Sequence, residues 1–356
     1  MASWTASRAC SAPTRWPSAA AKGRGADIGA PLGEFGRIAR FFRPLAAAFP
    51  GARDLRDDAA VFGLQPGREL VVTVDALVEG VHFLPDDPPD LVARKALRVN
   101  LSDLAAMAAD PLAYSLVTAL PRSRPDSWLE AFAAGLAADQ EEFGIALLGG
   151  DSVSTPGPAT FSITALGTVP SGQALARDAG RAGDLVFVTG TLGDAALGLG
   201  VATGQLSGLA EEHALFLADR YRLPRPRTPL GPMLRGIASA GLDVSDGLIA
   251  DLGHLCEESG LAAVIEVERL PLSGAARAGL SLRPDLASLP LAGGDDYELV
   301  LAVPPGRADA LRGAAATAGV ALTEIGRLVA GTPGEVGVLD AAGQSVEVPA
   351  RGWQHF

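Results

Sequence analysis

The sequence predicts a mixed α/β (α+β) protein built from two domains. Three observations carry this. Its 356 residues suffice for two domains of ordinary size. Strand-like β-branched runs and helix-periodic segments intermix in both halves. The interval 170–183 (PSGQALARDAGRAG) is the most turn-rich stretch between two strands, and it divides the chain. The expected domains are therefore 33–170 and 171–356, after an extension over 1–32.

The first thirty residues are rich in Ala, Ser, Arg and Gly and hold no acid before Asp27. A transit peptide has this composition. A disordered extension, or a start codon assigned too far upstream, is the plainer reading. From about Gly33, Phe35, Ile38, Phe42 and Leu45 recur at helical spacing, and Pro50-Gly51 stops that helix. Residues 69–75 (ELVVTVD) are β-branched and read as a strand. Residues 91–109 read as one helix or two short ones, and 114–120 as a strand. Asp126, after Pro125, caps a helix that runs to about Phe143 and stops at Gly144. Residues 145–148 form a short buried strand ending in Gly149-Gly150-Asp151, and 161–169 alternate like another. Beyond the divide, 184–189 read as a strand and 190–201 as a turn and helix. A short helix over 211–221 and a Pro/Arg loop over 222–232 follow. A helix is expected over 248–259, with strands over 262–267 and 297–303, and short strands and turns after that.

Composition removes several function classes. The net charge of −12 argues against non-specific binding to nucleic acid or to an anionic membrane. No run of about 20 uncharged apolar residues exists to span a bilayer. Cys10 and Cys256 are the only cysteines, and the four histidines show no metal-protease spacing, so zinc and thiol chemistry fall away. Such sparse cysteine fits a reducing compartment, and a cytoplasmic location is expected.

What remains is a pattern of aspartates. Asp57 and Asp58 precede an apolar segment, Asp75 ends a β-branched strand, and Asp103 sits inside NLSDLAAMAADP. Asp151 follows two glycines, Asp243 and Asp246 flank Ser245 in LDVSDGL, and Asp295-Asp296 follow Gly293-Gly294. Singly, each has an ordinary explanation. Asp103 or Ser102 could cap a helix, Asp246 could cap the next one, and Asp57-Asp58 could be a solvated loop. Together they are harder to dismiss, because carboxylates at the edges of apolar segments are usually paired or metal-bound. Hard oxygen ligands suit Mg²⁺, which bridges carboxylates to phosphates. No GxxxxGK[ST] loop exists, since neither lysine follows a glycine. A nucleotide would have to be held by another design. The turn 190–194 (GTLGD) offers a helix N-terminus for a phosphate, or is a simple capped turn. Arg177 pairs a phosphate or is a loop charge, and His82 is a substrate contact or a structural histidine.

The ordered motifs DDAAV (57–61), TVDALVEGVHF (73–83), KALRVNLSDLAAMAADP (95–111), LLGGD (147–151), VTGTLGDAALGL (188–199), LDVSDGLIADLGHL (242–255) and GGDDYEL (293–299) resemble the thiamine-phosphate kinase family. The resemblance covers about 34–356 and includes the tail GWQHF. It implies a two-domain PurM-like fold, with the N-terminal domain binding ATP and pairing across a homodimer and the C-terminal domain packed behind it. It implies Mg²⁺-dependent transfer from ATP to thiamine monophosphate, giving thiamine diphosphate. Asp58, Thr73, Asp75, Asp103, Asp151, Asp243 and Asp246 would then ligate Mg²⁺. Gly150, Asp151, Arg177 and Ser245 would contact ATP, and His82 and Asp295 would face the thiamine phosphate.

The chain departs from the family pattern in four places. Asp54-Leu55-Arg56 stands where Gly-Ile-Gly is usual, Val74 where threonine is usual, Asp295 where glutamate is usual, and Ala350 where an aromatic can cover the thiamine. The rival readings are a ligase of the aminoimidazole ribonucleotide synthetase kind and a non-catalytic nucleotide-binding homologue, the latter supported by those departures.

Overall fold

The computed structural model describes residues 32–348 and 352–353. The expected extension up to residue 31, and Ala350, lie outside the described residues. The N-terminal half runs α1 (Glu34–Arg37), α2 (Arg43–Ala46), β1 (Arg68–Val78), α3 (Pro89–Ala106), β2 (Asp110–Pro121), α4 (Asp126–Phe143), β3 (Ala146–Thr155) and β4 (Thr160–Pro170). The C-terminal half runs β5 (Leu185–Thr189), α5 (Asp194–Ala202), α6 (Glu211–Arg222), β6 (Ala240–Asp243), α7 (Leu248–Glu258), β7 (Ala262–Glu266) and α8 (Gly274–Leu282). It closes with α9 (Leu289–Ala292), β8 (Leu299–Val303), α10 (Ala308–Ala318), β9 (Leu322–Val329) and β10 (Val336–Leu339).

The strands form two sheets. The first is four-stranded in the order β1-β4-β2-β3, antiparallel except for the parallel β2/β3 pair. That parallel pair needs a crossover, which α4 supplies. The second is six-stranded in the order β10-β7-β9-β5-β8-β6. In β8 the side chains alternate between two cores. Val300 and Ala302 join the cluster under α7, while Leu299, Leu301 and Val303 join the one under α10. Helices therefore cover both faces of the second sheet, and all five β8 residues are buried.

The first sheet is covered on one face only. There Phe161, Ile163 and Ala165 pack on Leu97, Leu101 and Leu104 of α3 and on Phe132 and Leu136 of α4. Trp128, Phe132 and Phe161 stack with centroids 4.5 to 5.8 Å apart. Each fully buried Leu or Phe contributes about 1.5–3 kcal/mol. The opposite face carries Leu70, Val72 and Val74 of β1 with Val117 and Val153, all exposed, and Val74 is 61% accessible. The departure at Val74 therefore falls on this open face, away from Thr73 and Asp75.

Several expectations need correction. Asp126 does not cap α4. It is the first helical residue, and its carboxylate accepts from Leu32 N at 3.0 Å and Arg37 Nε at 2.8 Å. Gly144 does end α4, at φ 65°. The strand expected to stop at Leu148 runs on to Thr155, because Gly149 and Gly150 sit within it. At Gly150 a Cβ would stand 1.8 Å from Leu116 O of β2, so only glycine lets the strands close here. Helix α10 lies where only short strands and turns were expected, and α8 lies in a stretch for which no element was expected. Arg53, Asp54 and Leu55 occupy left-handed backbone, at φ 49°, 57° and 55°, where the family pattern has glycines at 54 and 56. Asp54→Gly is expected to stabilise the protein by about 0.5–1 kcal/mol through relief of that strain. Chemical denaturation measures it, and a less stable variant would show that the turn carries no strain.

Candidate active site

The expected site residues fall into three groups. The first lies where β1 and α3 meet the loop after β6. Thr73 Oγ1 donates to Asp103 Oδ2 at 2.5 Å, and Asp75 N donates to Asn100 Oδ1 at 3.2 Å. Asp103 lies in the last turns of α3 and caps nothing. Asp243 ends β6, buried. Burial and the neighbouring Asp103 charge push Asp75 up to about 6. Burial likewise raises Asp103, against the pull of Thr73 and Arg177. Burial, then Asp103, holds Asp243 well above the usual carboxylate range. These carboxyls thus press on one another, and Asp246 adds its charge to Asp75. Arg177, exposed in the linker between the sheets, is the cation that Asp103 senses. Its carbonyl accepts from Ser259 Oγ at 2.6 Å, which anchors the loop.

The 244–247 loop is shaped by a residue the sequence reading passed over. Asp251 Oδ2 accepts from the backbone N–H of Ser245, Asp246 and Gly247 at 3.0, 3.0 and 3.1 Å. Gly247, not Asp246, precedes α7 as its cap. Burial pushes Asp251 up to about 7 despite those three bonds. The 293–297 loop is stitched alongside, with Asp295 N donating to Ser245 O and Tyr297 N to Val244 O, both at 2.8 Å. Asp295 and Tyr297 take positive φ there, 71° and 50°.

The second group is Asp58, Gly150 and Asp151. They line a pocket of 240 Å³ with Asp57, Leu116 and Ser152. Both aspartates are exposed. This pocket lies at the opposite edge of the first sheet. Asp151 pairs with Val117, Val117 with Ser162, and Ser162 with Ala76. Asp151 is therefore level with the Asp75 end of β1 but three strands away, about 14 Å at ordinary strand spacing. One chain does not bring the expected metal ligands into a single cluster.

The third group is His82 and Asp295, joined through Lys95. His82 Nδ1 accepts from Val78 N at 3.0 Å and its carbonyl accepts from Lys95 Nζ at 2.9 Å. Lys95 also donates to Asp295 Oδ2 at 2.9 Å. The phosphate site considered at the 190–194 turn is already filled. Asp296 accepts from Gly193 N at 2.6 Å and Ala195 N at 3.2 Å, taking the free N–H groups of α5. Burial pushes Asp296 up to about 8.

The donor set fits a hard divalent cation. Every side chain of the first group offers oxygen, and the buried Ser102 hydroxyl, which makes no hydrogen bond of ordinary geometry, lies close enough to Asp243 to ease its carboxyl downward. Among the described residues, no three His, Cys, Asp or Glu side chains converge into a cage for one ion. A Mg²⁺ there would take one or two carboxylates and complete its shell with phosphate oxygens and water.

A two-domain α/β chain with buried carboxylates at the domain junction matches a known class. Residues 56–169 match the N-terminal domain of AIR synthase related proteins, and residues 181–338 match the C-terminal domain. Thiamine-monophosphate kinase of Caulobacter vibrioides is 46% identical over 333 residues, covering 93% of each chain. The crystal structure of the kinase of that name from Stenotrophomonas maltophilia superposes with a TM-score of 0.75 at 41% identity, covering 82% of this chain and 91% of that one. AaThiL complexed with AMPPCP and TMP gives 0.73 at 31% identity, covering 93% and 100%. The chain belongs to the thiamine-monophosphate kinase family. Among the described residues, no helix is long and apolar enough to cross a membrane.

Proposed function

We propose that the protein transfers the γ-phosphoryl group of ATP directly, in line, to the phosphate of thiamine monophosphate, giving thiamine diphosphate and ADP. The observation that carries this reading is the mutually repelling carboxylate group of Asp75, Asp103 and Asp243 at the domain junction. Such a group repels nucleotide phosphates by itself and needs cations between. Asp58, Thr73, Asp75, Asp103, Asp151, Asp243 and Asp246 would hold Mg²⁺, which when bound neutralises the facing phosphates. The backbone at Gly150, with Asp151, Arg177 and Ser245, would orient ATP. His82 and Asp295 would face the acceptor. The acceptor phosphate is ionised at neutral pH, so the chain supplies position and charge rather than a general base.

The site is completed by a second copy. The open apolar face of the first sheet and its two free edges, β1 and β3, ask for cover. A two-fold partner presents the same strands in return. Its β3 would then bring Asp58 and Asp151 to the Asp75 end of β1, supplying what one chain leaves about 14 Å away. The 33–170 and 171–356 domains follow as an ATP-binding, dimerising unit and a unit that closes over it.

Incubating the protein with Mg²⁺, ATP and thiamine monophosphate tests the reading by the appearance of thiamine diphosphate. ATP bound without product would favour the non-catalytic reading. A pH experiment tests the metal. Asp75 titrates near 6 in the folded chain against 3.8 ordinarily, so the folded state holds that proton more tightly than the unfolded one. The contribution of Asp75 to metal-free stability is then full below 3.8 and is lost as pH rises through 6, by at most about 3 kcal/mol. Added Mg²⁺ is expected to raise the melting temperature clearly at about pH 7.5 and little at about pH 5, where protons occupy the carboxyls. Equal gains at both would remove Asp75 from the metal set.

A further inference from the structure

Lys95 is one of two lysines in the sequence, and it is 2% exposed. An unpaired buried ammonium costs several kcal/mol, so its surroundings must replace water. They do so from three segments. Its Nζ donates to the His82 carbonyl after β1 and to Asp295 before β8, both at 2.9 Å. It also stands 4.1 Å from the centre of the Tyr221 ring on α6, a cation–π contact strengthened by burial. The residues on either side of Tyr221 fix that ring. Arg220 donates to buried Glu298 at 2.9 Å, and Arg222 to buried Asp87 at 2.6 Å. One helical turn of α6 thus grips both halves of the chain, with the lysine between them.

We propose that Lys95 is a positioning residue for the acceptor side. It sets the separation of the His82 turn from Asp295, and it cancels the Asp295 charge so that an anionic phosphate can approach. This rests on the reading that His82 and Asp295 face thiamine monophosphate. It also explains how the shorter aspartate is tolerated in place of glutamate: Lys95 holds it by one oxygen and leaves the other for the acceptor.

Steady-state kinetics test this in Lys95→Met, Asp295→Asn and the double variant. Lys95→Met leaves a bare carboxylate facing the acceptor, and the KM for thiamine monophosphate is expected to rise about tenfold or more while that for ATP moves less than about twofold. Adding Asp295→Asn removes the bare charge, so the double variant should bind the acceptor better than Lys95→Met alone. A purely structural lysine gives losses that add and move both KM values together. Lys95→Arg serves if Lys95→Met does not fold. It keeps the charge but not the compact head, and should raise the acceptor KM alone. An unmoved acceptor KM, or a double variant worse than Lys95→Met, overturns the proposal. Wild-type protein that makes no thiamine diphosphate overturns the kinase reading and this proposal with it, whereas active wild type with an unmoved acceptor KM overturns only the proposal.

Discussion

Asp103→Asn is expected to lower kcat/KM by about a thousandfold or more and to leave the fold intact. The two halves of this result have different causes. Asparagine keeps a carbonyl oxygen that can accept from Thr73 Oγ1, as Asp103 Oδ2 does now. It loses the charge that would hold a cation against the phosphates. In the metal-free chain that charge is a burden, because burial raises Asp103 and its charge in turn raises Asp75 and Asp243. Neutralising it should leave the metal-free melting temperature unchanged or higher, and should shrink the gain on adding Mg²⁺. Kinetics and melts with and without the metal check both halves. A variant that keeps its activity shows that Asp103 holds no metal. A variant that loses both activity and metal-free stability shows a structural aspartate.

Much of the fold was legible because its signals are local. The β-branched run at 69–75 and the Gly144 stop each follow from a few neighbouring residues. Helix α10 escaped because its buried stripe, Ala308, Leu311, Ala314 and Ala315, holds a single large apolar side chain, so alanines carry most of its periodicity. The continuation of β3 escaped because two glycines read as a turn, and the reason for them lies in Leu116 on another strand.

The aspartates of the site were legible as a set, but their grouping was not. Which strands neighbour which is a long-range property, and it placed Asp151 and Asp75 on opposite edges. The residues that shape the site were missed for the same reason. Lys95 meets Asp295 across 200 positions, and Asp296 meets Gly193 across 103. One signal was available: a lone lysine inside an apolar helical run, in a chain that otherwise uses arginine. Asp251 offered another, as an acid flanked by apolar residues in LIADLGHL, just after the Asp246-Gly247 turn.

The separation of Asp103 from Asp151 leads to a second large effect, readable only in mixed dimers. If two copies pair as proposed, Asp103→Asn and Asp151→Asn are each expected to be inactive when paired with themselves. If each site takes Asp103 from one copy and Asp151 from the other, the Asp103→Asn:Asp151→Asn heterodimer contains one intact site and one doubly defective site. Purified by two different tags, it should recover roughly half of wild-type activity. The reverse pairing is the control. Wild type joined to the Asp103→Asn/Asp151→Asn double variant has one defect in each shared site, and should be inactive. Sites built within one chain give the opposite pattern, with the first heterodimer dead and the second half active. The two outcomes cannot be confused with instability, since both heterodimers carry the same two substitutions over the same pair of chains. The sheet order and the register from Ala76 through Ser162 and Val117 to Asp151 are what favour the shared arrangement. Thr73 of β1 holds the Asp103 carboxylate, and the three strand spacings from β1 to β3 are too wide for one cation to touch both carboxylates of a single chain.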